Sequence, residues 1–494
     1  MKKASFILVI SLLVLFYVPS LAEDSGYGHI VGDRKYFGRN YIVKNPKATL
    51  PPPGGIPLAK MDSTQQECEV WGDDQRITFL EYTYHPRVAV HADSIHVVWY
   101  QHWEVFYKRS VDGGETWGES VALSVEDNVS SVVPDIAVEG GNVYVVWEDW
   151  TSLDSGGIYF RKSTDGGTTW QSRIAIALRG VDNYDYYRPR IVVKDSEMYV
   201  CYGKNIDLDA SLRFKKSTDY GESWGQEVII SERSPTGKPA EMVKNESGLH
   251  VAWENFNEIY YNKSIDWGNH WGEDIVISED DGIYSQWAFV GADDLGGVYI
   301  TWFDYKYSPY GWTGDIFLRR STDNGATWDS IISLTDNHLC VESDVCADTS
   351  SVHVVWRDGR HEGNVEIYHR RSTDLGFSWE EEDRLTDAPY ASWDPRITKN
   401  SSKLYMVWVD DRNDPEPQST YFKKGLWYYP GDANGDKIVN IADVVYLINF
   451  LFLGGPAPNA YEAGDANGDD EINVADVVYL INYLFIAGPP PVEC

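Results

Sequence analysis

The 494-residue sequence predicts an all-β body built of repeated four-stranded units, followed by a small α-helical module. Three observations carry the prediction. A nine-residue turn recurs six times: "RSVDGGETW" from Arg109, "KSTDGGTTW" from Lys162, "KSTDYGESW" from Lys216, "KSIDWGNHW" from Lys263, "RSTDNGATW" from Arg320 and "RSTDLGFSW" from Arg371. Between these turns lie short runs that alternate or are β-branched and aromatic, as strands are. Beyond residue 430 the text "GDANGDKIVNIADVVYLINFLF" returns 33 residues later as "GDANGDDEINVADVVYLINYLF", each copy opening an apolar helix.

Residues 1–22 read as an export leader: a basic start, an apolar run from Phe6 to Val18, and the small-residue site Ser20-Leu21-Ala22. Residues 23–69 form an N-terminal extension. No later stretch reaches the roughly 20 apolar residues of a transmembrane helix, so the mature chain is expected to be secreted, extracellular or bound at a cell surface. The formal net charge of −34 makes nucleic acid and anionic membranes poor partners and suits calcium ligation. Cys340 and Cys346 lie close enough in sequence to staple a loop, and the five cysteines leave at least one thiol over.

The turn serines, Ser110 to Ser372, stand 47 to 57 residues apart, and each turn closes a unit with the same order of signals. In the second unit these are "PDIAV", "VYVVW", "IYFRKS", the Asp-Gly turn, Trp170 and "IAIAL". Four short strands per unit of this length is the period of a propeller blade. A seventh set of three strands, "PRITKNSSKLYMVW" with "STYFKKG", stops without a turn. The stretch "VWGDDQRITFL" near the start resembles its missing outer strand, which predicts seven blades closed by the N-terminal segment of a domain spanning 70–425; six is the alternative count.

The S-x-D-x-G-x-x-W turn resembles the Asp box of sialidase-type propellers. That resemblance implies a structural turn on the face opposite the active site. Asp112, Asp165, Asp219, Asp266, Asp323 and Asp374 can cap backbone N–H groups there, and the tryptophans can pack between blades. Aligning the units on the second-strand aromatic (Trp99, Trp147, Tyr202, Trp253, Trp302, Trp356, Trp408) brings Arg87, Asp135, Arg190, Glu241, Trp287, Asp344 and Arg396 to the starts of the first strands. A second ring follows the aromatic: Asp149, Asn255, Asp304, Asp358 and Asp410, with Arg360 and Arg412 two residues beyond the last two. Carboxylates, guanidinium groups and aromatic rings on one face suit sugars. The resemblance implies an exo-α-sialidase-like hydrolase. Arg87, Arg190 and Arg396 would clamp a carboxylate, Asp135 or Asp344 would be the acid, and Tyr184, Tyr186 or Tyr187 the nucleophile beside Glu241. A non-catalytic glycan- or protein-binding propeller is the other reading.

The tandem C-terminal copies place oxygen ligands at calcium-loop spacing: Asp432, Asn434, Asp436, Asn440 and Asp443, then Asp465, Asn467, Asp469, Asn473 and Asp476. The backbone carbonyls of Ile438 and Glu471 fill the seventh positions. Asp at the twelfth position and a single helix per loop resemble a type I dockerin (426–494), which implies two Ca2+ ions and a cohesin-type partner, with the chain's own propeller as the other candidate. Lys437 and Asp470 stand at the sixth position, usually Gly. Loop positions ten and eleven, Ile441, Ala442, Val474 and Ala475, are the implied contact residues.

Overall fold

The computed structural model describes residues 42–43 and 68–491, except 80–81, 125–129, 151–155, 179–184, 207–208, 233–239, 280, 307–313, 337–338, 362–363, 401–402, 413–417, 459, 470 and 487. The leader, nearly all of the N-terminal extension, Tyr184 and Asp470 lie outside the described residues. The chain divides into two compact units: Asp74–Gly425, and the residues through Asp73 together with those from Leu426 onward.

The larger unit is a seven-bladed propeller. Six blades are four-stranded antiparallel sheets whose strands follow chain order from the axis outward, and the seventh forms part of a six-stranded sheet completed by N-terminal strands. The innermost strands are Tyr84–His91, Ser131–Glu139, Asp185–Lys194, Ala240–Asn245, Ser285–Ala292, Cys340–Ala347 and Ser392–Asn400. The seventh blade has no outer strand of its own after Ser419–Tyr428; Gln75–Arg76 supplies it, pairing Gln75 with Phe422 and Arg76 with Tyr421. The match with the other blades is atomic. Ile77 N–H donates to Thr420 C=O, as Leu123, Ile277, Leu334 and Leu385 donate to Val105, Ile259, Ile316 and Ile367. Thr78 Oγ1 then accepts from Thr420 N, as Ser124, Ser278, Thr335 and Thr386 do in their blades.

The second-strand aromatics form the core, all of them fully buried. Each tryptophan stacks on a third-strand ring of its own blade: Trp99 on Phe106, Trp147 on Tyr159, Trp253 on Tyr260, Trp302 on Phe317, Trp356 on Tyr368 and Trp408 on Tyr421. Burying such a ring contributes roughly 4–6 kcal/mol before entropy is subtracted.

All six boxes share one network. The serine hydroxyl donates to the aspartate and accepts the box Gly N–H; the aspartate accepts the N–H four residues on, as in Ser321–Asp323–Gly325–Thr327 at 2.7–2.8 Å. The box tryptophan packs edge-on against a third-strand ring of the preceding blade, Trp170 on Tyr107, Trp224 on Phe160, Trp271 on Phe214 and Trp328 on Tyr261. The boxes are therefore turns and interblade wedges.

Cys340 and Cys346 do not bridge: neither forms a disulfide, and nor does Cys201. They sit six residues apart on one extended strand, roughly 20 Å, far beyond disulfide reach. Cys68 is disulfide-bonded.

In the smaller unit, helices Ile441–Leu453 and Val474–Phe485 pack around Val444, Leu447, Ile448, Val477 and Leu480. Asn440 and Asn473 are their N-caps, and Asp443 and Asp476 complete capping boxes. Among the described residues, no helix is long and apolar enough to cross a membrane.

Candidate functional site

One residue from each innermost strand faces the axis: Arg87, Asp135, Arg190, Glu241, Phe289, Asp344 and Arg396. Each pairs with the residue just before the second-strand aromatic, as Arg87 does with Val98 and Arg396 with Val407. Phe289, paired with Thr301, holds this position in the fifth blade, and Trp287 does not. The stretch from ring residue to aromatic is 13 residues there against 12 in the other blades, and Trp287 stands two residues further upstream. The seven line an axial cavity of about 420 Å3.

The charges inside are matched. Arg190 grips Glu241 with two 2.8 Å bonds, from Nε and Nη2, and Arg87 Nη2 reaches the same carboxylate at 2.7 Å. Burial works to raise the Glu241 carboxyl, but Arg190 and Arg87 outweigh it and bring it down to about 2. Arg396 Nη2 pairs with Asp394 at 2.6 Å, and its guanidinium lies over the Phe289 ring at 4.8 Å. Asp135 and Asp344 each accept a backbone N–H from the next blade, Ile191 and Ile397. Burial raises both, Asp344 up to about 6. Tyr187 is buried with its ring over Gly203, where a Cβ would meet it at 2.2 Å; Tyr186 packs edge-on against Tyr202.

The second ring of carboxylates is spent within the blades. Asp149, Asp304 and Asp410 accept from Ser131, Ser285 and Ser392 of the first strands, and Asp358 from the Cys340 thiol. Asn255 is likewise buried. Arg360 pairs with Asp358 and Glu382 over the Tyr368 ring; Arg412 pairs with Asp410 and Asp74 over the Tyr421 ring.

Above the axial ring lies a tier the sequence reading missed. Two residues before the ring, the backbone bulges into the left-handed region at His85, Val133, Arg188, Trp287, Glu342 and Asp394, with φ from 46° to 55°. Such positions cost about 1–2 kcal/mol each for non-glycine residues and gather at functional sites. The bulge brings His85 Nδ1 to Asp394 at 3.2 Å, while Glu342 accepts Asp394 N–H and Glu148 accepts Arg188 N–H. Although burial opposes it, Arg396 and His85 hold Asp394 well below the usual carboxylate range. Tyr84 stacks on Tyr100, 5.2 Å between centroids. Trp287 packs edge-on against Phe303. The sequence signal for this tier was the recurring x-Pro-(Arg/Asp) at 85–87, 133–135, 188–190 and 394–396.

The helical unit holds two loops whose carboxylates converge on backbone N–H groups. Asp432 accepts from Gly435, Asp436 and Lys437, and Asp443 from Asn434 and Asn440. Asp465 and Asp476 repeat this in the second loop, Asp465 to Gly468 and Asp469, Asp476 to Asn467 and Asn473. Burial, reinforced by neighbouring carboxylates, pushes Asp443 up to about 7 and Asp476 up to about 6. Asn467 Oδ1 is buried without a partner. Crowded carboxylates and an orphaned amide oxygen fit a hard cation. Among the described residues no three Asp, Glu, His or Cys side chains hold an ion alone, so Asn oxygens and the carbonyls of Ile438 and Glu471 are needed as well. Lys437 is left-handed, with φ 66°.

Residues 430–485 match the family model of the dockerin type I domain. Type I dockerins are in general calcium-binding and dock to cohesins. No curated protein matches the chain. Among solved structures, a PL25 ulvan lyase is similar at 11% identity over 70% of this chain and 93% of its own, with a TM-score of 0.51. A GH93 α-L-arabinofuranosidase of Fusarium graminearum is 12% identical over 71% of this chain and 97% of its own, TM-score 0.46. The NanB sialidase of Streptococcus pneumoniae is 11% identical over 75% and 71%, TM-score 0.42. At these identities the likeness is one of fold. The chain carries a seven-bladed propeller and a C-terminal dockerin type I domain.

Proposed function

We propose that this protein is an exported, carbohydrate-binding propeller (70–425) fixed by its dockerin (426–494) to a cohesin-bearing assembly, and that the propeller does not cleave sialosides. The observation that carries the second part is the state of the arginines. Arg87 and Arg190 converge on Glu241, and Arg396 on Asp394, so the protein's own carboxylates occupy the place of a substrate's. A carboxyl held near 2 is also a poor base for activating a tyrosine.

Carbohydrate as ligand is supported by aromatic rings on the loop-bearing end, Trp103, Trp150, Phe256, Tyr284 and Tyr390, all exposed. The fold relative named an ulvan lyase acts on a polysaccharide. In the same proposal each dockerin loop takes one Ca2+, two per chain, through Asp432, Asn434, Asp436, Ile438 C=O, Asn440 and Asp443, and through their counterparts Asp465 to Asp476. The ions neutralise the crowded carboxylates and so stabilise the fold.

A second reading, an exo-glycosidase, is favoured by one feature: Asp344, raised to about 6 beside the cavity, suits a general acid. Release of 4-methylumbelliferone from its sialic-acid glycoside, run beside a glycan array, separates the two. Array binding without turnover is expected; turnover abolished by Arg190→Ala would reverse the assignment.

A further inference from the structure

We propose that the loop-bearing face takes a neutral polysaccharide as an extended chain, gripped at two hairpin tips: Trp103 in the first blade and Phe256 in the fourth. This rests on the carbohydrate-binding reading above and adds the surface and the ligand class.

Both tips are two-residue turns between second and third strands, His102-Trp103 closing the pair Gln101/Glu104 and Phe256-Asn257 closing Asn255/Glu258. All four turn residues are left-handed, φ 49° and 64° in the first, 47° and 73° in the second. This is the turn that normally recruits Asn-Gly or Gly-Gly. A bulky ring there is unfavourable twice, through backbone strain and through exposure. Trp103 is 62% exposed and Phe256 87%. Two other bulky left-handed residues are covered instead: Trp267 packs on Tyr199 under the Lys194 ammonium, and Val133 is buried. Among the described residues no ring or cation covers Trp103 or Phe256.

Each tip is also anchored. Trp103 C=O accepts the Ser131 N–H at 2.7 Å, and Asn257 C=O the Ser285 N–H at 2.8 Å, both from the first residue of the next blade's inner strand. The turn backbones that carry the rings are thus held in place before any ligand arrives, which lowers the ordering cost of binding. The tips stand three blades apart in a ring of seven, almost opposite one another across the axial mouth. A monosaccharide cannot touch both; a chain of sugars can. Trp150 flanks that path with its indole N–H fixed on Glu148. The formal charge of −34 and the buried Glu148, Glu342 and Asp394 at the mouth disfavour a polyanion.

Affinity electrophoresis and calorimetry on the whole protein test this, with mixed-linkage β-glucan, linear arabinan and galactomannan against polygalacturonate and alginate. Wild type should retain at least one neutral polymer and neither polyanion. Trp103→Ala and Phe256→Ala should each weaken binding roughly ten-fold, and the double variant about a hundred-fold. Phe256→Gly should lose the same affinity while its Tm holds or rises, which separates lost contact from lost fold. Undiminished binding by the double variant would overturn the surface and leave carbohydrate binding standing. Preference for a polyanion would overturn the class. No binding to any polymer or array glycan would overturn both.

Discussion

At the scale of single residues, Lys437 shows what one side chain costs. Its backbone is left-handed at φ 66° in the first calcium loop, a position that Gly adopts freely. Relief of that strain is worth about 1 kcal/mol, near a five-fold change in an equilibrium constant. Calcium titration of wild type should therefore show two unequal sites, and Lys437→Gly should tighten the weaker one about five-fold; equal sites in wild type would refute the strain argument. Residues of this kind are legible because a repeat supplies its own control. The box Ser, Asp, Gly and Trp keep the same offsets in all six copies, and a second-strand aromatic recurs in every unit. Trp287 was misread for Phe289 because one extra residue in this blade removes the fixed offset that marks the ring residue in the others. His85 and Asp394 were missed although the recurring x-Pro-(Arg/Asp) marks both positions, because the motif does not say that the bulge turns the two side chains toward each other.

At the scale of elements, four strands carry buried histidines. His96 and His250 each bond a tyrosine hydroxyl, Tyr107 and Tyr261, at 2.7 Å, and His353 stacks on His369 with 3.0 Å between nitrogens. Burial lowers His96 and His250 to about 4 and His353 well below its usual value. An unfolded chain binds these protons near 6.5, the folded one only below about 4. Their contribution is therefore complete above pH 6.5 and is lost as pH falls toward 4, at about 1.4 kcal/mol per pH unit per histidine. Urea unfolding of wild type and His96→Phe between pH 7 and 4.5 should differ by this contribution, the variant's stability falling less steeply by up to about 1.4 kcal/mol per pH unit. A slope unchanged in the variant would remove His96 from the cause. The dockerin helices were readable to their caps, since Asn at position nine and Asp at position twelve serve at once as proposed calcium ligands and as N-cap and N3. The pairing of Cys340 with Cys346 was not, because closeness in sequence along a strand is distance in space.

At the scale of the whole molecule, closure rests on Gln75–Thr78. Ile77→Pro removes one N–H donor, as Leu334→Pro does at the equivalent place in the fifth blade. Each should cost about 3 kcal/mol or more. Only the first opens the ring, so it alone should broaden the unfolding transition and produce heat-induced oligomers through the bared edge; identical behaviour of the two variants would mean that closure adds no cooperativity. Seven blades were legible because the N-terminal text resembled an outer strand that the seventh unit lacked. The occupation of the arginine cluster by Glu241 was not legible, since whether Glu241 or a ligand fills it depends on side-chain reach across the axis. The strand Ser419–Tyr428, where the propeller hands over to the dockerin, has partners on both sides, Lys403–Asp410 on one and Gln75–Arg76 with Cys68–Trp71 on the other. A load along that strand's axis would have to shear both rows of hydrogen bonds together, whereas a strand at a sheet edge would be peeled away one bond at a time. The strand that receives the closing segment is thus also one that is clamped from both sides.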